Sequence, residues 1–298
     1  HNYRVYNRGM KASNKYGIKS LERDFPNDDK CLDFIFDTLH SRKCSCGGEY
    51  KRIKGRKQYQ CSKCRFQIAP MANTIFQKSD TPLTVWFRAL LMFSNAKSGI
   101  SAKYLQRELE VTYKCAWRIL SQIRKALKQD NENLKGIVET DVGYIGGRKS
   151  AGKNNEKLSN AMKAKSVVMV AVERGGKMKA QVRDDASADE IEEFIKNNVS
   201  TGSFIMTDSA KGYSRIRKGY DHFSVNHSKK EYARGNFHIN TVETWFSHIK
   251  RSMKGTFKSV SKGHLQSYLD AFVFHYNNRH SDKQRFASLL GALLQNGG

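Results

Sequence analysis

Two acidic residues in the second half of the chain interrupt segments that are otherwise apolar. Asp141 lies in the middle of one strand-like run, and Asp208 ends another, after Phe204, Ile205 and Met206. A carboxylate at such a position is costly to remove from water unless a positive group pairs with it. A salt bridge, or a cap for the following helix, is the alternative explanation for Asp208.

A third acid, Glu243, lies in the first turn of a predicted amphipathic helix. Lys250 follows seven residues later, so the two side chains point the same way, about 10 Å apart along the helix axis. This distance is too long for a direct ion pair but suits a carboxylate that holds a metal beside a lysine that contacts a phosphate. The apolar side chains form another face of the helix: Val242, Trp245, Phe246, Ile249 and Met253.

Three carboxylates, two from strands and one from a helix, could bind two Mg²⁺ or Mn²⁺ ions, because these hard cations prefer oxygen ligands. Such a pair of ions activates an attacking oxygen and stabilises a leaving oxygen. On a phosphodiester, attack by water is strand cleavage and attack by a 3′-hydroxyl is strand transfer. Five further acids of this region lie around a predicted surface helix and are interpreted as solvated: Asp184, Asp185, Glu190, Glu192 and Glu193.

Four of the six cysteines form two pairs on either side of a basic segment, Cys44 with Cys46 and Cys61 with Cys64. In a reducing compartment this clustering indicates metal binding rather than disulfides. Two turns that each offer two thiolates can complete a tetrahedral Zn²⁺ site, which predicts a zinc ribbon. His40 could replace one of the ligands. Such a metal stabilises a small domain and performs no chemistry.

Two helices joined by a short break follow the ribbon. Ser101 can cap a helix that runs to Leu109, and Thr112 can cap the next. The tight connection is typical of a helix-turn-helix, and two packed helices without a DNA role are the alternative. The core spacing of the second helix comes from Ala116, Ile119, Leu120, Ile123 and Leu127.

The charge balance limits the class of partner. Fifty-three Lys and Arg against 28 Asp and Glu give a net charge of +25. This excess favours a polyanionic partner, most simply nucleic acid, although a merely basic or ribosome-associated protein is the alternative. No run approaches the roughly 18 apolar residues of a membrane helix, and no signal peptide is visible. We therefore expect an intracellular protein without a membrane partner.

The region after residue 136 changes from helical to strand-like patterning. It predicts a strand through Asp141, a hairpin that turns at Gly175–Gly176, and a helix capped by Ser187. The strand that ends on Asp208, a short strand from Asp221 and further helices complete a mixed α/β domain.

Several separate motifs, in this order, resemble the insertion-sequence DDE transposases that carry an amino-terminal zinc ribbon, relatives of the eukaryotic Merlin elements. The resemblance covers the chain from about Phe25 to Arg279, and the order and spacing of the motifs together are specific. The motifs are FPNDDKCLDFI, the cysteine pairs, NTIFQKSDTPLTVWFRA, GISAKYLQRELEVTYKCAWRIL, VETDVGYIGG, MTDSAKGY and HINTVETWFSHIKRSMKGTFKSVSKGHLQSYLDAFVFHYNNR.

This resemblance implies an α/β fold with an RNase H-like mixed-sheet catalytic core, preceded by a zinc ribbon and a helix-turn-helix domain. It matches Asp141, Asp208 and Glu243 to the catalytic carboxylates that hold Mg²⁺ or Mn²⁺, and Lys250 to a basic residue seven positions after the glutamate. The expected domains are an arm with a short helix (1–40), the ribbon (41–72), the helix-turn-helix domain (73–130), the catalytic domain (131–280) and a C-terminal tail (281–298).

The chain departs from the family pattern at two positions. The family usually has an acid directly after its first catalytic Asp, where this chain has Val142. Because strand side chains alternate between faces, that acid would point away from Asp141 and is interpreted as dispensable. The first cysteine pair is C-x-C rather than C-x-x-C.

The resemblance implies cut-and-paste transposition: binding of terminal inverted repeats in double-stranded DNA, cleavage and strand transfer by a homodimer, in the cytoplasm and nucleoid or in a nucleus. The alternatives are an inactive or domesticated zinc-containing DNA-binding regulator, and a structure-selective RNase H-like nuclease. The residues predicted to contact DNA are Lys54, Arg56, Lys57, Tyr113, Lys114, Arg118, Asn240, Lys250 and Arg251.

Overall fold

The computed structural model describes residues 15–146, 165–208, 213, 219–225 and 238–295. The chain divides into two compact units, one made of the residues up to Lys128 together with those from Asn278 onward, and one of Gln129–Asn277. Residues 1–14, most of the predicted N-terminal arm, lie outside the described residues. Within the described ranges no helix combines the length and apolar character that a membrane crossing requires.

The first unit contains a small antiparallel sheet of order β1-β2-β3 in the predicted ribbon. Its strands are β1 (Tyr50–Arg52), β2 (Tyr59–Cys61) and β3 (Gln67–Ile68). The Tyr59 ring stacks on Phe36 with 4.0 Å between ring centroids, which ties the sheet to a helix of the same unit. The helices are α1 (Ile18–Asp24), α2 (Asp28–Leu39), α3 (Leu83–Asn95), α4 (Ala102–Glu108) and α5 (Tyr113–Ala126).

The caps predicted for α4 and α5 are confirmed. The Ser101 side chain accepts a hydrogen bond from the Tyr104 amide, and that of Thr112 accepts one from the Cys115 amide, each over 3.2 Å. In the turn between the helices, Glu110 adopts a left-handed φ of 52°, which reverses the chain in few residues.

The second unit is built on a five-stranded sheet of order β6-β5-β4-β7-β8. Strand β5 pairs antiparallel with both β4 and β6, while β7 pairs parallel with β4 and β8 pairs parallel with β7. This order and these directions give the mixed α/β domain that the sequence patterns predict and the RNase H-like sheet that the family resemblance implies. The strands are β4 (Ile137–Ile145), β5 (Ser166–Glu173), β6 (Met178–Arg183), β7 (Phe204–Asp208) and β8 (Asp221–Val225).

Helices cover both faces of this sheet. Along β5, Val168, Val170 and Val172 face one core, while Val167, Met169 and Ala171 face the other, as strand alternation requires. The second core includes α6 (Ala188–Asn198), and the first includes α7 (Asn240–Ser252) and α8 (Lys262–Asn277). A π-helical turn, Met253–Phe257, continues α7.

The segment predicted as a C-terminal tail contains a helix, α9 (Asp282–Gln295). The buried guanidinium of Arg285 donates to the carbonyl oxygens of Ser94 (3.0 Å) and Asn278 (3.2 Å), so α9 is fixed to α3 within the first unit. Apolar residues at helical spacing explain the packing: Phe286, Leu289, Leu290, Leu293 and Leu294.

Candidate active site and metal cluster

Asp141 and Asp208 each lie two residues beyond the last paired residues of two neighbouring parallel strands, β4 and β7. The β4–β7 register pairs Glu139 with Met206. The pairing ends at these two residues, and Asp141 and Asp208 each follow two residues later on their strands. Residues two apart on a strand share a face, so both carboxylates leave the sheet on the side of Glu139.

Helix α7 runs alongside β4 on this face. Near its start, the amides of Thr241 and Val242 donate to the Glu139 carboxylate. One turn later, Phe246 packs directly on Gly143. Asp141 lies between Glu139 and Gly143 on the strand, and Glu243 lies between Val242 and Phe246 on the helix. The packing therefore brings Glu243 opposite Asp141.

The electrostatics of Asp141 reflect this grouping. Burial raises the pKa of Asp141 to about 6, and the negative charges of Asp208 and Glu243 add to the rise. The Val142 amide, which donates to Asp141 over 2.7 Å, and the ammonium group of Lys250 act in the opposite direction. A half-buried carboxylate that is crowded by two others favours a bound cation, and an all-oxygen donor set suits Mg²⁺ or Mn²⁺.

The carboxylate oxygens of Asp141, Asp208 and Glu243 nevertheless do not all lie within 4.8 Å of one another, as the ligand atoms of a closed metal site would. Among the residues that the structure describes, four cysteines are the one group of three or more potential ligands whose ligand atoms all lie within 4.8 Å of one another. Like charges repel, and Glu243 is exposed on its helix. The backbone positions of the acids, rather than their side-chain rotamers, define the candidate site.

The four cysteines of the ribbon form that close group. Sγ of Cys44 lies 3.7 Å from Sγ of Cys64, and Sγ of Cys46 lies 3.4 Å from Sγ of Cys61. A tetrahedral Zn²⁺ with bonds of about 2.3 Å would separate its sulfurs by about 3.8 Å, so the four thiols fit zinc. His40, considered as a substitute ligand, lies outside this group.

Two glycines accommodate the short C-x-C pair. Gly47 has a φ of 76°, and the Cys44 amide donates to the Gly48 carbonyl over 2.8 Å, which closes the tight turn. A Cβ on Gly48 would lie 2.6 Å from Sγ of Cys61. The sequence CSCGG thus compensates for the missing residue. A hydrogen bond from Tyr50 and one from the Cys46 amide lower the pKa of Cys44 to about 6, which favours the ligating thiolate.

The residues predicted to contact DNA occupy different settings, and their roles stay predictions. Arg118 is half-buried, and its Nη2 donates to the carbonyl oxygens of Gln77 (3.3 Å) and Lys78 (3.5 Å). The Arg118 guanidinium therefore stabilises the loop that contains Gln77 and Lys78. The other candidates are exposed in the β1–β2 loop, at the start of α5 and along α7: Lys54, Arg56, Lys57, Tyr113, Lys114, Asn240, Lys250 and Arg251.

Sequence reasoning did not select Glu139, which is fully buried two residues before Asp141. It also missed Trp117, which is 48% exposed one turn after Tyr113. The ring of Tyr113 lies under the Lys103 ammonium, 5.3 Å away. An acid inside an apolar strand, and a tryptophan outside the apolar spacing of α5, are the signals that could have identified Glu139 and Trp117.

Comparison with known proteins supports the resemblance to insertion-sequence transposases. Residues 133–277 match the family model of the ISXO2-like transposase domain. An uncharacterized protein in the transposable element ISH50 of Halobacterium salinarum is 26% identical over 246 residues, which cover 76% of this chain and 82% of that protein.

Two solved structures share limited backbone similarity. An intasome of simian T-cell lymphotropic virus in complex with the PP2A regulatory subunit B56 gamma matches 66% of this chain and 74% of its own at 10% identity, with a TM-score of 0.32. A pre-cleavage Mos1 transpososome matches 71% and 75% at 12% identity, with a TM-score of 0.29. The similarity to transposases rests on the two sequence matches.

Proposed function

We propose that this chain, whose residues 133–277 match the ISXO2-like transposase domain, is an insertion-sequence DDE transposase that binds the terminal inverted repeats of its element, cleaves DNA there and joins the ends to a target by cut-and-paste transposition. The observation that supports the proposal is that Asp141 and Asp208 follow the paired part of the parallel strands β4 and β7 on the sheet face covered by α7, and that the charges of Asp208 and Glu243 both act on Asp141.

Each residue of the site has a defined part in this proposal. Asp141, Asp208 and Glu243 would hold Mg²⁺ or Mn²⁺, which supplies activation of the attacking oxygen and stabilisation of the leaving oxygen. Lys250 lies two turns after Glu243 on the same helix and would hold the phosphate backbone beside the acids. Because its charge already acts on Asp141, an approaching phosphate would meet a cation at the edge of the acidic group.

In this proposal the first unit binds the DNA. The exposed lysines and arginine of the β1–β2 loop offer phosphate contacts, and α5 offers an exposed face that begins with Tyr113 and Lys114. A net charge of +25 supports binding to a polyanion. We further propose that two copies of the chain act together, because two ends must be joined in concert.

The test is cleavage of DNA fragments that carry both flanks of the reading frame, with Mg²⁺, by Asp208→Asn and Glu243→Gln variants. Both should bind the fragments as wild type does and lose cleavage and joining. The matched control is Asp184→Asn, which makes the same chemical change at a 91% exposed side chain of the same unit and should stay active. Cleavage retained by either active-site variant would contradict the proposal.

A second substrate separates the related activities. A pre-cleaved end with a 3′-hydroxyl should yield a joined product with the wild-type chain. Hydrolysis without joining would identify a nuclease instead, and binding without either reaction would identify a DNA-binding regulator.

A further inference from the structure

The carboxylate of Glu139 is fully buried, yet it belongs to no predicted site. Its Oε1 accepts from Arg174 Nε (2.9 Å) and from Thr241 Oγ1 (3.1 Å), and its Oε2 accepts from the amides of Thr241 (2.9 Å) and Val242 (3.4 Å). Nδ1 of His238 lies 3.5 Å from Oε1. A buried charge is stable only when neighbouring groups compensate it. The loss of any one of these contacts would therefore leave the Glu139 carboxylate incompletely compensated.

Glu139 supplies the N-terminal cap that α7 lacks in its own sequence. The N-cap residue is Ile239, and no side chain of the N-cap position accepts a hydrogen bond. The first amides of a helix have no partner within the helix, and they carry the positive end of its dipole. A carboxylate from the neighbouring strand satisfies two of these amides and stabilises the helix at the turn that carries Glu243.

Arg174 extends the same contact to the third acid-bearing element. Its Nη2 donates to the backbone carbonyl of His238 (2.7 Å), just before α7, and contacts Sδ of Met206 (3.2 Å). Met206 precedes Asp208 by two residues on β7. The Glu139–Arg174 pair therefore touches β4, β7 and α7, which are the three elements that carry Asp141, Asp208 and Glu243.

We propose that Glu139, with Arg174, is a positioning residue that fixes the start of α7 so that Glu243 faces Asp141. This inference rests on the proposed function, because it assigns the pair to the assembly of that site. Glu139 touches no substrate, and all four lone-pair directions of its carboxylate face protein groups. A purely structural ion pair would stabilise the fold without setting the position of Glu243.

The test compares Glu139→Gln with Asp270→Asn in the 298-residue chain. Asp270 accepts hydrogen bonds from Gln129 (2.7 Å) and Gln266 (2.8 Å), so it offers the same carboxylate-to-amide change within the same unit, and neither of these partners belongs to α7. The first readout is hydrogen–deuterium exchange without added divalent metal. Glu139→Gln should speed exchange of the amides of residues 241–243, and Asp270→Asn should not.

The second readout is DNA cleavage as a function of Mg²⁺ concentration. Glu139→Gln should lower kcat by about 10- to 100-fold, as expected when a catalytic group is displaced by about 1 Å. It should also raise the Mg²⁺ concentration at half-maximal rate, with DNA binding unchanged. Asp270→Asn should keep both kinetic values, whatever its effect on thermal stability.

If Glu139→Gln does not fold, the double variant Glu139→Gln/Arg174→Met removes both charges and keeps a neutral cap, which buried pairs often tolerate. The same two readouts then apply. Faster exchange with wild-type cleavage and Mg²⁺ dependence would overturn the proposal, as would unchanged exchange. An inactive wild-type chain would refute the proposed function instead, and the exchange comparison would still report whether Glu139 caps α7.

Discussion

A Cβ atom on Gly143 would lie 2.4 Å from Cε1 of Phe246, closer than a side chain can approach. Phe246 is itself buried, so its ring has little room to move away. The contact fixes how closely α7 lies against β4. Asp141 lies two residues from Gly143 on β4, and Glu243 lies three residues from Phe246 on α7. Because Gly143 has no side chain, α7 can lie close to β4, which brings the two acids toward each other.

Gly143→Ala should therefore push α7 away from the sheet. We expect an overpacking cost of about 1–3 kcal/mol in the free energy of unfolding. We also expect a loss of roughly tenfold or more in DNA cleavage, because the distance between Asp141 and Glu243 grows. Urea unfolding measures the stability, and single-turnover cleavage with saturating Mg²⁺ measures the activity. DNA binding should not change.

The matched control is Gly263→Ala in α8, where an added Cβ meets no atom within 4 Å. Alanine has the higher helix propensity, so this variant should equal or exceed wild type in stability by up to about 1 kcal/mol and keep full activity. Equal cleavage by Gly143→Ala and wild type would refute the role of this contact.

The pKa of Asp141 predicts how stability depends on pH. Burial first, and the carboxylates of Asp208 and Glu243 next, raise it to about 6, above the ordinary value. Protonation of Asp141 therefore stabilises the folded state, and this stabilisation is lost as the pH rises through about 6. Asp141→Asn should make the chain more stable than wild type at pH 8, by roughly 1–3 kcal/mol, when Mg²⁺ and Mn²⁺ are absent.

Thermal unfolding at pH 8 and at pH 4.5 measures this difference, which should shrink at the lower pH. Added Mg²⁺ should stabilise wild type and leave Asp141→Asn nearly unchanged, because bound cation offsets the crowded charge. Asp184→Asn, at an exposed carboxylate, should follow wild type in all conditions. A wild-type chain that is as stable as Asp141→Asn at pH 8 without Mg²⁺ would contradict the assigned environment.

Local patterns were sufficient to predict the strand acids and the helix caps. Asp141 and Asp208 each interrupt an apolar run, and Ser101 and Thr112 each precede a helical pattern. Their signals lie within a few neighbouring residues, so the sequence exposes them. The helix in the C-terminal segment was also readable from its apolar spacing. The prediction of a tail over residues 281–298 overlooks this spacing.

Contacts between distant segments could not be predicted in this way. Glu139 and Thr241 are separated by 102 positions, and nothing near either residue indicates the other. Gly143, inside a strand pattern, indicates a bulge or a close approach of other atoms without saying which. The close packing of Gly48 against Cys61 likewise depends on the folded turn. The strand acids, including Glu139, therefore carry a signal in the sequence, whereas the contacts of Glu139 with Arg174 and α7 required the structure.

Removal of one thiol tests the ribbon. Wild type should carry about one zinc per chain, and Cys61→Ser should carry almost none, because three thiolates and a hydroxyl hold zinc poorly. Loss of the metal should unfold the β1–β3 sheet and weaken DNA binding. Plasma emission spectrometry measures zinc, and limited proteolysis reports the exposure of residues 44–64.

Cys115→Ser is the control for the ribbon, since Cys115 lies in α5 outside the cysteine group and contacts Thr81 Oγ1 at 3.3 Å. It should keep its zinc and resist proteolysis as wild type does. A Cys61→Ser chain that retains a full equivalent of zinc would show that the metal, if any, is held elsewhere.

The exposed start of α5 provides the last prediction. Lys114 is a point charge, and Trp117 is a large aromatic surface one turn away, so they should contribute to DNA binding in different ways. Lys114→Ala should weaken binding severalfold and lower the slope of log K against log salt by about 1, because one phosphate contact is lost. Trp117→Ala should weaken binding at every salt concentration with little change in slope, because its contact is not ionic. Fluorescence anisotropy with a labelled duplex, from about 50 to 200 mM salt, separates the two effects.

The control for the general loss of one positive charge is Lys125→Ala, at an exposed lysine near the other end of the same helix. If Lys125→Ala reduces affinity and slope as much as Lys114→Ala does, the first turn of α5 has no special place in DNA binding.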